Sequence, residues 1–129
     1  MSIDYIQPTG LFKPATFTPV VKVDAGHTIV FIAGQTSQNA QGQVVGAGDF
    51  KAQAAQVFEN LKQALAAAGA GFDDLVKMNI YLTDPRFRDP LAEVRARYLT
   101  GRLPVSTLVT VAALAHPDYL LEIEVVAAR

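Results

Sequence analysis

The sequence predicts an α/β (α+β) domain in which one sheet carries two helices on a single face. Three observations predict it. Apolar patterns follow the order β-β-α-β-α-β-β, both helical stretches are amphipathic, and the strands keep one apolar and one mixed face. A helix with an apolar stripe and a strand with an apolar side must cover each other, which places both helices on one side of the sheet.

Each element follows from its residues. Pro8, Gly10 and Pro14 make residues 1–16 an extended or looped lead-in. "FTPVVKVDAGHTIVFIAG" holds two β-branched runs around Asp24-Ala25-Gly26, a hairpin signal. The polar, glycine-rich "QTSQNAQGQVVGAGD" is a connection ending in Asp49, a good helix N-cap. Beyond it Ala54, Phe58, Leu61, Leu65 and Ala68 recur at helical spacing, with Lys51, Gln56, Glu59, Lys62 and Gln63 outside them. Gly69 and Gly71 end that helix.

In "LVKMNIYLTDP", Val76, Met78, Ile80 and Leu82 alternate with Lys77, Asn79, Tyr81 and Thr83, a strand with one mixed face. Asp89-Pro90 reads as a cap followed by proline at the first helical position. The inward stripe of this second helix is Leu91, Val94 and Tyr98, with Phe87 just ahead and Gly101 as its stop. Pro104 leads into the strand "STLVTVAAL". His116-Pro117-Asp118 precedes the last strand, in "YLLEIEVVAAR".

The 129 residues form one domain, residues 1–129, large enough for a hydrophobic core. The formal charge is −1 and acids and bases are mixed along the chain, which argues against a nucleic-acid partner. The chain has no cysteine, so disulfides, thiolate metal sites and cysteine nucleophiles are excluded. No leader pattern opens it and no apolar run approaches ~20 residues, so no membrane partner and a cytoplasmic location are expected. The mean hydropathy of +0.22 fits an apolar surface buried in an oligomer, and equally an Ala/Val-rich core.

The residues that could carry chemistry are few. His27 follows a turn glycine and His116 precedes Pro117, and neither has a spaced acid or nucleophile partner. Two distant histidines make no metal site. "GAGDF" and "AAAGAGF" lack the spacing and the Lys-Ser/Thr of a nucleotide loop, so no cofactor is expected. Glu122 and Glu124 are the unusual feature, because residues two apart in a strand share one face. Either both meet solvent or pair with Lys77, or one of them orients a water or a polar substrate group in a cleft.

"ENLKQALAAAGAGFDDLVKMNIYLTD", "LVTVAAL" and "LEIEVVA", with "VFIAGQTS" and "GDFKAQAAQVFENL" upstream, resemble the Rid family across residues 17–128. These are the reactive intermediate deaminases, also called the YjgF or endoribonuclease L-PSP family. The resemblance implies a chorismate-mutase-like fold, a mixed six-stranded sheet with two helices on one face. It also implies a homotrimer with a small-molecule cleft at each subunit interface and the mixed sheet face lining its interior. Family members with known chemistry hydrolyse 2-imino or enamine acids to 2-oxo acids and ammonia, without metal or cofactor. A Pro-Ala-Arg sequence supplies the guanidinium that grips the substrate carboxylate.

The resemblance carries over residue by residue. Glu122 keeps the place of the acid that positions water. Gly34 and Gln35 keep a Ser-Gly-Gln segment in which Ala33 replaces the serine, and Phe17 stands where a tyrosine is usual. Pro104-Val105-Ser106 stands where Pro-Ala-Arg is expected, and the arginine is absent. Truncating one partner of such a charge pair costs ~2–5 kcal/mol, or ~30-fold to several thousand-fold. Ser106 is too short to replace a guanidinium, and Arg102 or Lys77 would have to supply the cation.

The favoured expectation is therefore a homotrimer that binds a small metabolite, its deaminase activity put in question by Ser106. An active imine or enamine hydrolase is the alternative, with Glu122 placing water and Ser106 and Thr107 bonding the substrate. A ribonuclease fits poorly with a sequence pI near 6.0 and no aromatic stacking platform.

Overall fold

The computed structural model describes residues 2–129, and its eight main elements follow the expected order with one strand added at the start. They are β1 (Ile3–Ile6), β2 (Val20–Val23), β3 (Ile29–Gln35), α1 (Phe50–Ala67), β4 (Leu75–Leu82), α2 (Arg88–Tyr98), β5 (Val105–Thr110) and β6 (Leu121–Ala128). Six strands and two helices match the expected architecture. The strands divide into a two-stranded ribbon, β1-β2, and a four-stranded sheet in the order β3-β6-β4-β5. That sheet is mixed: β4 pairs β5 in parallel, while β6 pairs both β3 and β4 antiparallel.

Three local expectations need correction. The turn at Asp24-Ala25-Gly26 forms, with Gly26 at φ 94°, but β2 and β3 do not pair as a hairpin. β2 takes β1 as its partner and β3 takes β6, because the lead-in offers Ile3, Tyr5 and the backbone around them as a competing edge. β1 is therefore a strand inside what reads as a looped lead-in. The cap and N1 proline also fall one turn earlier than Asp89-Pro90. Asp84 accepts from the Arg86 backbone N–H at 2.8 Å and Pro85 opens a 3₁₀ turn that runs directly into α2. Pro90 then sits in the first turn of α2, where the missing N–H has no helical partner to lose.

The first helix is built as its pattern requires. The Asp49 side chain accepts from Ala52 N–H at 3.1 Å, and Ala54, Val57, Phe58, Leu61 and Leu65 are fully buried. At its end Gly69 adopts φ 72°, Gly69 N–H donates to Ala66 C=O and Ala70 N–H to Leu65 C=O, a Schellman closure. Gly71 instead caps the short turn Phe72–Asp74, its N–H donating to the Asp74 carboxylate at 2.9 Å.

Both helices cover one face of the sheet. Met78, Ile80 and Leu82 of β4 and Leu121, Ile123, Val125 and Ala127 of β6 join the α1 residues, Leu91 and Val94 in one core. Phe58 stacks on Tyr98 at 5.0 Å and Phe50 on Phe87 at 4.4 Å, locking the helix pair together. The buried Gln53 side chain is satisfied on both ends: it donates to Asp118 C=O at 2.7 Å and accepts from Leu120 N–H at 2.9 Å. That pairing fixes where β6 begins, and so where Glu122 falls.

Candidate functional site

Register decides which face each candidate shares. Glu122 lies opposite Tyr81, which lies opposite Val109; Glu124 lies opposite Asn79, which lies opposite Thr107. All six belong to the face away from the helices, as does Lys77. Ser106 pairs with the buried Met78 and therefore belongs to the helix-covered face, at the edge strand β5. Ser106 and Glu122 thus stand on opposite sides of one sheet, two strands apart.

The two glutamates have different surroundings. Glu124 accepts from the Tyr81 hydroxyl at 2.6 Å and from the Asn79 amide at 3.1 Å. Those bonds hold the Glu124 carboxyl below its ordinary range, the Tyr81 bond foremost, and push the Tyr81 phenol above its own. Lys77 adds a through-space attraction to Glu124 but makes no direct ion pair with it among the described residues. Glu122 instead lies against Gly34, so closely that a Cβ there would overlap its carboxylate. Gly34 sits where the β3–β6 register shifts between Ile32 and Gln35, and this irregularity lets the backbone approach the acid. Glu122, Gly34 and Gln35 are therefore brought together, with Gln35 Nε2 turned back onto Ala33 C=O at 3.0 Å.

A second group forms at β5. Thr18 N–H donates to Pro104 C=O at 3.0 Å, and its hydroxyl donates to Leu103 C=O at 2.5 Å. This clamp sets Phe17 over the edge of the strand. Two cavities open there. One, about 280 Å³, is lined by Phe17, Lys77, Asn79, Ser106 and Thr107 among others. The other, about 510 Å³, lies toward α2 and is lined by Thr16, Phe17, Arg88, Asp89, Ala92, Arg95, Ser106 and Leu108.

The candidates thus fall into two groups: Phe17, Ser106 and Thr107 at the β5 edge, and Gly34, Gln35 and Glu122 where β3 meets β6. Lys77 lies beside the first group. Arg102 is committed elsewhere, its guanidinium 4.3 Å from the centre of the Tyr5 ring and donating to Ile3 C=O at 3.3 Å. Both histidines serve local turns: His27 Nδ1 is 2.8 Å from Asp24 C=O, and His116 Nδ1 accepts from Asp118 N–H at 3.0 Å. Among the described residues no group of three or more His, Cys, Asp or Glu could hold a metal ion, and no helix is long and apolar enough to cross a membrane.

Arg95 is the residue that sequence reasoning passed over. It is only 7% exposed yet lines the larger cavity beside Ser106. The signal was available: Arg95 falls at the fourth position after Leu91 and directly beside Val94, on the stripe that faces the sheet. An arginine in an inward stripe is unusual enough to mark.

This fold and these residues define a known class. A family model described as Endoribonuclease L-PSP matches residues 12–129, and the chain belongs to that family, the YjgF or Rid family. Among similar chains, Protein DfrA of Myxococcus xanthus is 40% identical over 98 residues, covering 76% of this chain and 74% of that protein. A RutC family protein of Pyrococcus horikoshii is 34% identical, with 88% and 90% covered. A Rid-family protein of unknown function, YyfB from Yersinia pestis, superposes with a TM-score of 0.90 at 32% identity, covering all of both chains. The E. coli protein TdcF, solved with bound serine, gives 0.73 at 33% identity, with 90% and 92% covered.

Proposed function

We propose that this chain is a homotrimer that binds a small metabolite in clefts between subunits, and that it is not a deaminase of the arginine-dependent kind. The observation that carries the reading is the opposite-face placement of Ser106 and Glu122. One subunit cannot direct both at one ligand, whereas the β5 edge of one copy set against the outer face of the next can. The similar TdcF has been solved with serine bound, and a small polar amino-acid-like molecule suits cavities of about 280 and 510 Å³. Ser106 would bond such a ligand at the β5 edge and Phe17 would cover it, while Thr107, its neighbour on the strand, faces the outer side of the sheet.

Hydrolysis of an imine or enamine is the second reading, favoured by Glu122. Tyr81 and Asn79 both bond Glu124, so the Glu122 carboxylate keeps its acceptor capacity for a water or a substrate N–H. One experiment separates the two. A 2-aminoacrylate pool is generated enzymatically and 2-oxo acid release is followed with and without the protein. The binding reading expects no acceleration over buffer, together with a rise in melting temperature on adding a 2-oxo acid. Acceleration that disappears in Glu122→Ala establishes the hydrolase instead.

A further inference from the structure

Nine of the eleven carboxamide side chains in the sequence fall within residues 35–63, and the fold gathers six of them around one cavity. This cavity, about 320 Å³, lies where the end of β3 and the connection after it meet α1, and Gln35, Gln38, Asn39, Gln56, Asn60 and Gln63 line it. No charged side chain and no aromatic ring belongs to the lining. Gln56, Asn60 and Gln63 come from one stripe of the helix, at the i, i+4, i+7 spacing. Asn60 anchors the group: its amide donates to Thr36 C=O at 3.1 Å and to Gln38 C=O at 2.9 Å, and its oxygen accepts from Gln56 Nε2 at 2.8 Å. The Tyr119 hydroxyl donates to Gln38 Oε1 at 3.1 Å, and Asn39 Nδ2 donates to Gln43 Oε1 at 2.9 Å. These bonds fix which end of each amide points where.

Several groups stay free. Among the described residues the Gln38 amino group, the oxygens of Gln35 and Gln56 and both ends of Gln63 have no hydrogen-bond partner in the protein. An ion entering here would exchange its hydration for uncharged dipoles, with no opposite charge in the lining. An apolar guest would strand the free amides without water, and no ring is present for a nucleobase to stack on. The pairs already made within the group are amide to amide, Gln56 with Asn60 and Asn39 with Gln43, so its spacing suits a further carboxamide. We propose that this cavity binds a small neutral carboxamide or ureido compound, its carbonyl accepting from the Gln38 amide and its N–H groups donating to the free oxygens of Gln35 and Gln56. The volume is near the lower end for ligand pockets, which limits the guest to a small molecule. Only Gln35 is shared with the group around Glu122, and the site needs neither the trimer nor any turnover.

The test follows the side-chain amide signals of isotope-labelled protein by NMR during titration with three probes. Biuret is a neutral ureido compound, biguanide its cationic analogue, and erythritol a neutral polyol. Biuret is expected to move the Gln38, Gln56 and Gln63 signals saturably, and biguanide to leave them in place. Gln56→Met and Gln63→Met, straight-chain replacements that suit a helix, should each weaken biuret binding ~3–10-fold, the worth of one neutral hydrogen bond. Gln63 makes no bond within the protein among the described residues, so Gln63→Met carries the comparison if Gln56→Met loses stability. No saturable movement with biuret, or biuret binding unchanged in the folded Met variants, overturns the proposal. Biguanide or erythritol moving the same signals as strongly as biuret overturns it as well, since the site would then not select a neutral amide.

Discussion

Gly34 shows most directly how one residue sets the chemistry available to another. The Glu122 carboxylate occupies the volume that any Cβ at position 34 would take, so the glycine is required by close approach rather than by its φ. Gly34→Ala should displace the flexible end of Glu122 while leaving the fold in place. The melting temperature should move by only a few degrees, since the carboxylate can swing aside, whereas ligand response and any turnover should fall at least tenfold. Unchanged ligand response in a folded Gly34→Ala protein would show that the position of Glu122 does not matter. Glu124 is a different kind of acid. Its partners Tyr81 and Asn79 are in the sheet itself, so its role is to tie β4 to β6 on the outer face.

At the level of elements, local chemistry and long-range competition contribute separately. α1 is readable because its signals agree: an Asp49 cap, a stripe that buries and a Schellman glycine. Asp49→Ala should cost about 1 kcal/mol, seen as a fall of about 4 °C in melting temperature; no change would mean that the cap is replaced by solvent. The strand alternation in β4 and β6 was equally plain, and it is what puts Glu122 and Glu124 on one face. The β2–β3 hairpin failed for a physical reason. Turn residues specify that the chain bends at Gly26, but which edge each strand then joins depends on β1 and β6, far away in sequence. The site was half readable for the same reason. Spacing links Glu122 to Glu124, and family resemblance links Glu122 to Gly34 and Phe17. Nothing linear connects Ser106 to Arg95, which line one cavity only through the placement of α2 beside β5.

At the level of the whole molecule, the outer face of the four-stranded sheet is where the proposed assembly would form. It carries Phe31, 78% exposed, with Val109 also exposed beside the polar row of Lys77, Asn79, Tyr81 and the two glutamates. An apolar group of this size on a mixed face is what a wet but specific interface uses, a few large anchors within a polar surround. Burying one phenylalanine side chain contributes about 1.5–3 kcal/mol, and a closed trimer would bury three. Under the proposed trimer, light scattering on the wild type should give a mass near three times 13.8 kDa. Phe31→Asp should dissociate the assembly into folded subunits, because an aspartate at that anchor would have to be desolvated without a partner. Circular dichroism guards against misreading unfolding as dissociation. A wild-type mass of 13.8 kDa would overturn the proposed trimer, and with it the proposed inter-subunit cleft between Ser106 and Glu122. A Phe31→Asp protein that stays fully assembled would instead move the interface off this face, and Glu122 would then be a solvent group rather than part of a site, with Glu124 keeping its bonds to Tyr81 and Asn79.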